Sequence, residues 1–131
     1  MATVRLMADD ELSAEAVEVF EEIRAARGTD YVNNFWRALA HDPAQLRATW
    51  DRLKAVMAPG ALDPLVKEMV YLAVSTANSC GYCIHSHTAA AKAKGMTEEM
   101  HAELLAVIGM AMQTNGLVTA MQVEVDDAFK V

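Results

Sequence analysis

Apolar residues recur along the chain at the three- and four-residue spacing of an α-helix, and no sustained stretch alternates with the period of two that marks a strand. The first such stripe ends before Gly28. The pairs Asp42-Pro43 and Asp63-Pro64 each predict a helix start, because Asp caps the first turn and Pro fits the first helical position. The pattern therefore predicts an all-α fold.

The second half of the chain continues this pattern after a break at Asn78-Ser79. Because Ser is a favoured N-cap, we expect a helix that begins at Cys80 and runs to about Lys94, where Gly95 ends it. The preceding helix and this one then form an αα-hairpin.

The last part of the chain predicts two further helices. Thr97 is expected to cap the first, Asn115-Gly116 to interrupt it, and a final helix to run to about Ala128. We therefore expect a compact bundle of six or seven short helices that forms a single helical domain over residues 1–131. Cys80 and Cys83 then fall at the N-terminus of one helix of the hairpin.

Composition narrows the class of protein. Hydrophobic residues make up 53% of the chain against 22% charged, which excludes a disordered protein, and the net charge of −7 argues against nucleic acid or an anionic membrane as partner. The stretches 69–91 and 104–123 lack charged residues, but polar residues interrupt both. Neither reaches the ~20 apolar residues of a membrane span. With no secretory signal evident, we expect a soluble, cytoplasmic protein.

The two cysteines, Cys80 and Cys83, are three positions apart. Haem attachment would need His where Ile84 stands, and structural zinc needs four ligands, whereas Cys80, Cys83 and His87 supply at most three. We expect no metal or cofactor. A disulfide across so short a loop contributes only about 2 kcal/mol, against about 4.7 kcal/mol for a 100-residue loop. This suits a bond that is made and broken repeatedly.

Two further residues complete a candidate site. At a helix N-terminus the free amides and the dipole favour a thiolate, and His87 lies one helical turn after Cys83. Equidistant residues of an antiparallel hairpin face each other, which sets Glu68 beside His87. A carboxylate that orients a histidine, which activates a thiol, is a nucleophile–base–orienter arrangement.

This set of residues resembles a known family. Glu68, then Cys80-Gly81-Tyr82-Cys83, then His87 is similar to the core signature of alkylhydroperoxidase D, within the carboxymuconolactone decarboxylase-like superfamily. The resemblance is clearest over residues 63–105, which we expect to form the redox-active core. A weaker likeness covers residues 32–43.

The resemblance implies an all-helical protomer that assembles into trimers or hexamers and acts as an antioxidant thiol peroxidase. It implies Cys83 as the peroxidatic cysteine, Cys80 as the resolving one, and Glu68 and His87 as proton relays. The expected partners are a hydroperoxide substrate and an external dithiol reductant, either lipoyl or thioredoxin-like. Tyr82 stands where the best-studied type has a second relay histidine, and a phenol with a pKa near ~10 is a poor base at neutral pH.

Alternatives remain open at this point. Tyr82 favours a dithiol–disulfide oxidoreductase or redox sensor with weak peroxidase activity. A carboxymuconolactone decarboxylase-like enzyme would leave the cysteine pair without a task, and a helical binding module would leave both thiols unreactive. Many C-x-x-C motifs use the first cysteine as the attacker, whereas the position of His87 favours Cys83. His41, His85 and His101 are expected to be structural or solvated.

Overall fold

The computed structural model describes residues 2–130, and within them it contains helices and no strand. The α-helices are α1 Ala14–Arg27, α2 Asn34–Leu39, α3 Pro43–Met57, α4 Pro64–Ala77, α5 Gly81–Ala93 and α6 Glu98–Met121. Short 3-10 turns span Asp9–Glu11 and Asp127–Phe129. The all-α prediction is confirmed, with six α-helices in the part of the chain that the structure describes.

The chain divides into two compact units on either side of the Ala58–Pro59 bond. In the first unit, α1 and α2 pack on α3. Gly28, in the left-handed region at φ 63°, ends α1 as predicted, and Asp42 caps α3 by accepting a hydrogen bond from the Gln45 amide. The core of this unit consists of Ala16, Val19, Phe20, Ile23, Val32, Trp36, Ala40, Leu46 and Trp50.

The second unit is built on the hairpin of α4 and α5, with α6 packed on α4. Asp63 caps α4 through the Leu65 amide, and Thr97 caps α6 through the Met100 amide, both as predicted. Few side chains are fully covered in this unit. They are the apolar Leu72, Ala91, Met96 and Ile108 and the polar Glu68 and Ser75.

The turn between α4 and α5 differs from the prediction. Ser79 is not the N-cap: it lies in the left-handed region at φ 56°, and α5 begins at Gly81 with Cys80 as its N-cap. The cause is the end of α4, where the Ser79 amide donates to the Thr76 carbonyl and the Cys80 amide to the Ser75 carbonyl. These two bonds form a Schellman motif. Ser79 therefore belongs to the end of α4 and does not open the next helix.

Helix α6 is also longer than predicted, because Asn115-Gly116 does not interrupt it. A glycine inside a helix costs only about 1 kcal/mol, so it does not by itself end one. The helix ends at Met121, where Gln122 turns left-handed, and the expected last helix to Ala128 is absent from the described residues.

Its length corrects a second expectation. By length and composition alone α6 is able to cross a membrane, with a mean hydropathy of 1.5 over its most apolar window and 6% of that window buried. One such helix is weak evidence for a membrane protein.

Candidate active site

Cys80 and Cys83 form a disulfide where α5 begins, with 5.3 Å between their Cα atoms. Cys80 is the N-cap, and its Sγ accepts a hydrogen bond from the Cys83 amide at 3.3 Å. The pair therefore occupies the N-cap and third helical positions rather than the predicted first and fourth. The sulfur of Cys80 thus accepts a hydrogen bond from an amide of the first turn at the positive end of the helix dipole, which favours negative charge there.

Glu68 and His87 are in direct contact across the hairpin. Nδ1 of His87 lies 2.7 Å from Oε2 of Glu68, and Glu68 is only 5% exposed. A ring nitrogen that faces a carboxylate carries the proton, which leaves Nε2 of His87 as the nitrogen able to accept one. The hairpin thus brings together the two residues that the sequence placed side by side, and their catalytic roles stay a prediction.

Lys94 completes the surroundings of Glu68. Its Nζ lies 3.0 Å from Oε1, so each carboxylate oxygen has its own partner. Burial of Glu68 opposes its ionisation, but the hydrogen bonds from His87 and Lys94 outweigh this and hold the pKa of Glu68 below its ordinary value. The carboxyl group is therefore ionised at neutral pH.

Tyr71 stacks on His87, with 3.6 Å between ring centroids and 18° between ring planes. The same tyrosine forms part of a mainly apolar groove of about 460 Å³. The groove is lined by Tyr71, Val74, Ser75, Asn78, Cys80 and Cys83. A ligand in this groove would therefore reach the disulfide. Tyr71, which lines the groove, also contacts His87.

The other candidate residues do not line this groove. Tyr82 is 47% exposed, His85 is exposed, and Nε2 of His41 lies 2.6 Å from the Arg5 carbonyl oxygen. His101 is half-buried on α6. Among residues 2–130 no group of His, Cys, Asp or Glu is arranged to hold a metal ion.

Sequence reasoning did not identify Tyr71 or Lys94. Both follow a helical spacing that carries a signal in retrospect: Tyr71 is three residues after Glu68, and Lys94 is seven residues, or two turns, after His87. Neither type of residue is diagnostic by itself, because surface tyrosines and lysines occur at such spacings on many helices.

Comparison with known proteins identifies the family of this all-α chain with its C-x-x-C disulfide. The profile of the carboxymuconolactone decarboxylase family matches residues 43–124, more than half of the chain. The crystal structure of the alkylhydroperoxidase AhpD core from Rhodospirillum rubrum is 66% identical over all of this chain and 98% of that one, with a TM-score of 0.96.

Two curated proteins are similar over shorter stretches. The alkyl hydroperoxide reductase AhpD of Solibacter usitatus is 38% identical over 84 residues, which is 64% of this chain and 42% of that protein. The uncharacterized protein 4 in the cox locus of Paracoccus denitrificans is 37% identical over 52 residues, 40% of this chain and 47% of that protein. The matched regions cover less than half the length of each of these relatives. The chain belongs to the carboxymuconolactone decarboxylase family, as an AhpD-like member of it, which confirms the resemblance.

Proposed function

We propose that the protein is a thiol-dependent peroxidase that reduces hydroperoxides through a dithiol–disulfide cycle of Cys80 and Cys83. The observation that carries the proposal is the contact between Glu68 and His87, made in the same hairpin that bears the disulfide. A structural disulfide needs no buried carboxylate–imidazole pair beside it, whereas a reacting thiol needs a base. The names of the AhpD relatives support the same class of reaction.

The cycle balances with these residues. Nε2 of neutral His87 takes the proton of the Cys83 thiol, and the thiolate attacks the peroxide, which breaks the O–O bond and forms a sulfenic acid. The leaving alkoxide takes the proton back from His87 and departs as an alcohol. The Cys80 thiol then displaces water from the sulfenic acid to give the disulfide, which an external dithiol reduces while it is itself oxidised.

A thiol count on the reduced protein tests this cycle. After one equivalent of an organic hydroperoxide, we expect the loss of two thiols and of two mass units, with the corresponding alcohol as product. The variant with both cysteines replaced by Ser is the control and should consume no peroxide. No change in thiols or mass in the native protein would contradict the proposal.

The order of attack has a separate test. We propose Cys83 as the attacking cysteine because it is one turn from His87. The sulfur that accepts a hydrogen bond from a helix amide is nevertheless that of Cys80. A sulfenic acid trapped in Cys80→Ser and not in Cys83→Ser supports this order. The reverse result exchanges the two roles.

A second candidate function is dithiol–disulfide exchange with little peroxide turnover. It is favoured by Tyr82, which is 47% exposed at the position where the best-studied type of the family has a second relay histidine. Reduction of a model disulfide at a rate far above that of peroxide consumption would favour it. Activity toward a lactone acid that survives loss of both cysteines would instead indicate decarboxylase-like chemistry.

The groove suggests where the reductant binds. Both sulfurs line it together with apolar side chains, so a small lipoyl-like dithiol or the edge of a thioredoxin-like protein would reach the disulfide there. A cytoplasmic location fits this role, since disulfides in a reducing compartment are usually transient and catalytic or redox-sensing rather than structural.

We also propose that the protein works as a homo-oligomer. Helix α6 carries no Asp, Glu, Lys or Arg over residues 104–121, and apolar side chains are exposed along it. A long helix without charged side chains over most of its length normally buries much of its surface. Another copy of the chain supplies a matching apolar surface, in a trimer or hexamer.

A further inference from the structure

We propose that Lys94 is a positioning residue of the proton relay: by pairing with Oε1 of Glu68, it reserves Oε2 as the acceptor for Nδ1 of His87. This fixes the imidazole tautomer in which Nε2 is unprotonated. The inference rests on the proposed function for its consequence in catalysis, but its structural part stands on the contacts alone.

The argument begins with the two oxygens of Glu68. The side chain is almost completely buried, and a buried carboxylate is costly unless each oxygen has a partner. Nδ1 of His87 meets Oε2 at 2.7 Å and Nζ of Lys94 meets Oε1 at 3.0 Å. Lys94 supplies an ammonium, a cationic donor with no acceptor, whereas His87 contributes a single ring N–H.

Loss of that ammonium has a chemical consequence for His87. A buried carboxyl group that keeps only a neutral imidazole as partner favours the protonated form. A carboxylic acid then donates its proton toward Nδ1, so the imidazole carries its own hydrogen on Nε2. In that tautomer His87 has no free nitrogen with which to accept a thiol proton.

The backbone holds Lys94 at the place where it meets Glu68. Lys94 is the C-cap of α5, and the amide of Gly95 donates to the Lys92 carbonyl while the amide of Met96 donates to the Ala91 carbonyl. These two bonds form a Schellman motif, with Gly95 at φ 99° and Met96 buried. A cation is also favoured at a helix C-terminus.

Tyr71 restrains the imidazole ring of His87 by packing against it. Because it stacks on the imidazole face at 3.6 Å, the ring plane is already set by packing. Lys94 then has to select only which nitrogen carries the hydrogen. The role of the lysine is therefore electrostatic and directional, and a guanidinium at the same place should preserve it.

The experiment measures the tautomer directly. Ring ¹⁵N chemical shifts of His87 are recorded at neutral pH on the oxidised protein, in wild type, Lys94→Met, Lys94→Gln and Lys94→Arg. Lys92→Met is the matched control, because Lys92 pairs instead with the exposed Glu98. We expect wild type, the arginine variant and the control to carry hydrogen on Nδ1, and the methionine and glutamine variants to shift toward hydrogen on Nε2.

Peroxide consumption by the reduced proteins is the second readout. We expect a loss of about 10- to 100-fold in the methionine variant, which at most reaches the lower end of the roughly 10²–10⁴-fold that a general base contributes, and recovery in the arginine variant. An unchanged tautomer in folded Lys94→Met or Lys94→Gln overturns the inference. If the tautomer shifts in the Lys94 variants but the wild-type protein consumes no peroxide, the positioning role stands and the proposed function is overturned instead.

Discussion

At the residue scale, the proposed chemistry depends first on Glu68. It is a nearly buried carboxylate whose two oxygens contact two different groups, the imidazole of His87 and the ammonium of Lys94. Its lowered pKa keeps it an acceptor at neutral pH, which in turn keeps Nε2 of His87 available. The chemistry proposed for Cys83 therefore depends on a residue that is fifteen positions away in the sequence.

Replacing Glu68 by Gln tests this dependence. The amide keeps the shape but loses the charge, so His87 is no longer held in one tautomer and Lys94 loses its partner. We expect the rate of thiol oxidation by hydroperoxide to fall by about 10²–10⁴-fold, measured by stopped flow on the reduced protein. Glu99→Gln, at an exposed position in the first turn of α6, is the control and should keep the wild-type rate. A folded Glu68→Gln protein with an unchanged rate would refute the relay.

At the element scale, the turn between α4 and α5 explains how the cysteine pair is held. Cys80 takes part in both helices: its amide closes α4 and its sulfur caps α5. The strained residue is Ser79, whose left-handed conformation costs an L-residue about 1–2 kcal/mol. Glycine adopts this conformation freely, but loses more entropy on folding.

Replacing Ser79 by Gly should therefore raise stability slightly. We expect a gain of about 0.5 kcal/mol in the free energy of unfolding, the net of relieved strain and added chain entropy. The measurement is urea unfolding of the oxidised protein. Ser79→Ala retains the strain and should show no gain. A loss of stability in the glycine variant would mean that the Ser79 side chain contributes more than its backbone costs.

A second element-scale prediction concerns α1 and α3. Glu22 of α1 accepts hydrogen bonds from Lys54, Arg47 and Trp50 of α3, which lower the pKa of Glu22 to about 2. A carboxyl whose pKa is depressed on folding contributes stability that is present above its unfolded value, 4.5, and lost as the pH falls through its folded value.

The stability difference between wild type and Glu22→Gln should follow that window. It should be largest above pH 4.5, decline as the pH falls, and approach zero near pH 2, as measured by urea unfolding at each pH. Glu18→Gln, on the exposed side of the same helix, should show no such pH dependence. A difference that is constant from pH 6 to pH 2 would contradict the assignment.

The elements that were predictable share a local cause. Asp42, Asp63 and Thr97 open helices through hydrogen bonds to amides two or three residues away, so a short window of sequence contains the whole signal. The prediction that Ser79 caps α5 was wrong because the two hydrogen bonds of the Schellman motif at the end of α4 compete with that capping. The prediction that Asn115-Gly116 interrupts the helix was wrong because a weak helix breaker is tolerated when no proline accompanies it.

The site was predictable for a different reason, and only in part. Glu68 and His87 were placed together because a hairpin reflects one helix onto the other. Lys94 and Tyr71 were not, since their roles follow from which side chain reaches a buried carboxylate or covers a ring. Those contacts depend on packing across the hairpin, which no spacing along one helix specifies.

At the scale of the whole molecule, the remaining question is what covers α6. The chain has a net charge of −7, yet none of that charge lies between residues 104 and 123. Exposed apolar residues follow the helix along most of its length. They are Leu105, Val107, Met110, Met112, Leu117, Val118 and Met121. So many exposed apolar side chains on one helix are typical of an interaction site, and the proposed occupant is a second copy of the chain.

Replacing Leu117 by Lys tests this assembly. A lysine at the middle of an apolar interface leaves an unpaired charge there, so association should weaken. By light scattering coupled to size exclusion, we expect wild type at three or six times the 14.3 kDa chain mass and Leu117→Lys at a lower mass. Leu62→Lys is the matched control, because Leu62 is about as exposed, 54% against 52%, but precedes α4. A wild-type mass of one chain, or wild-type protein that floats with neutral lipid vesicles, would show that α6 is covered by something other than its own copies.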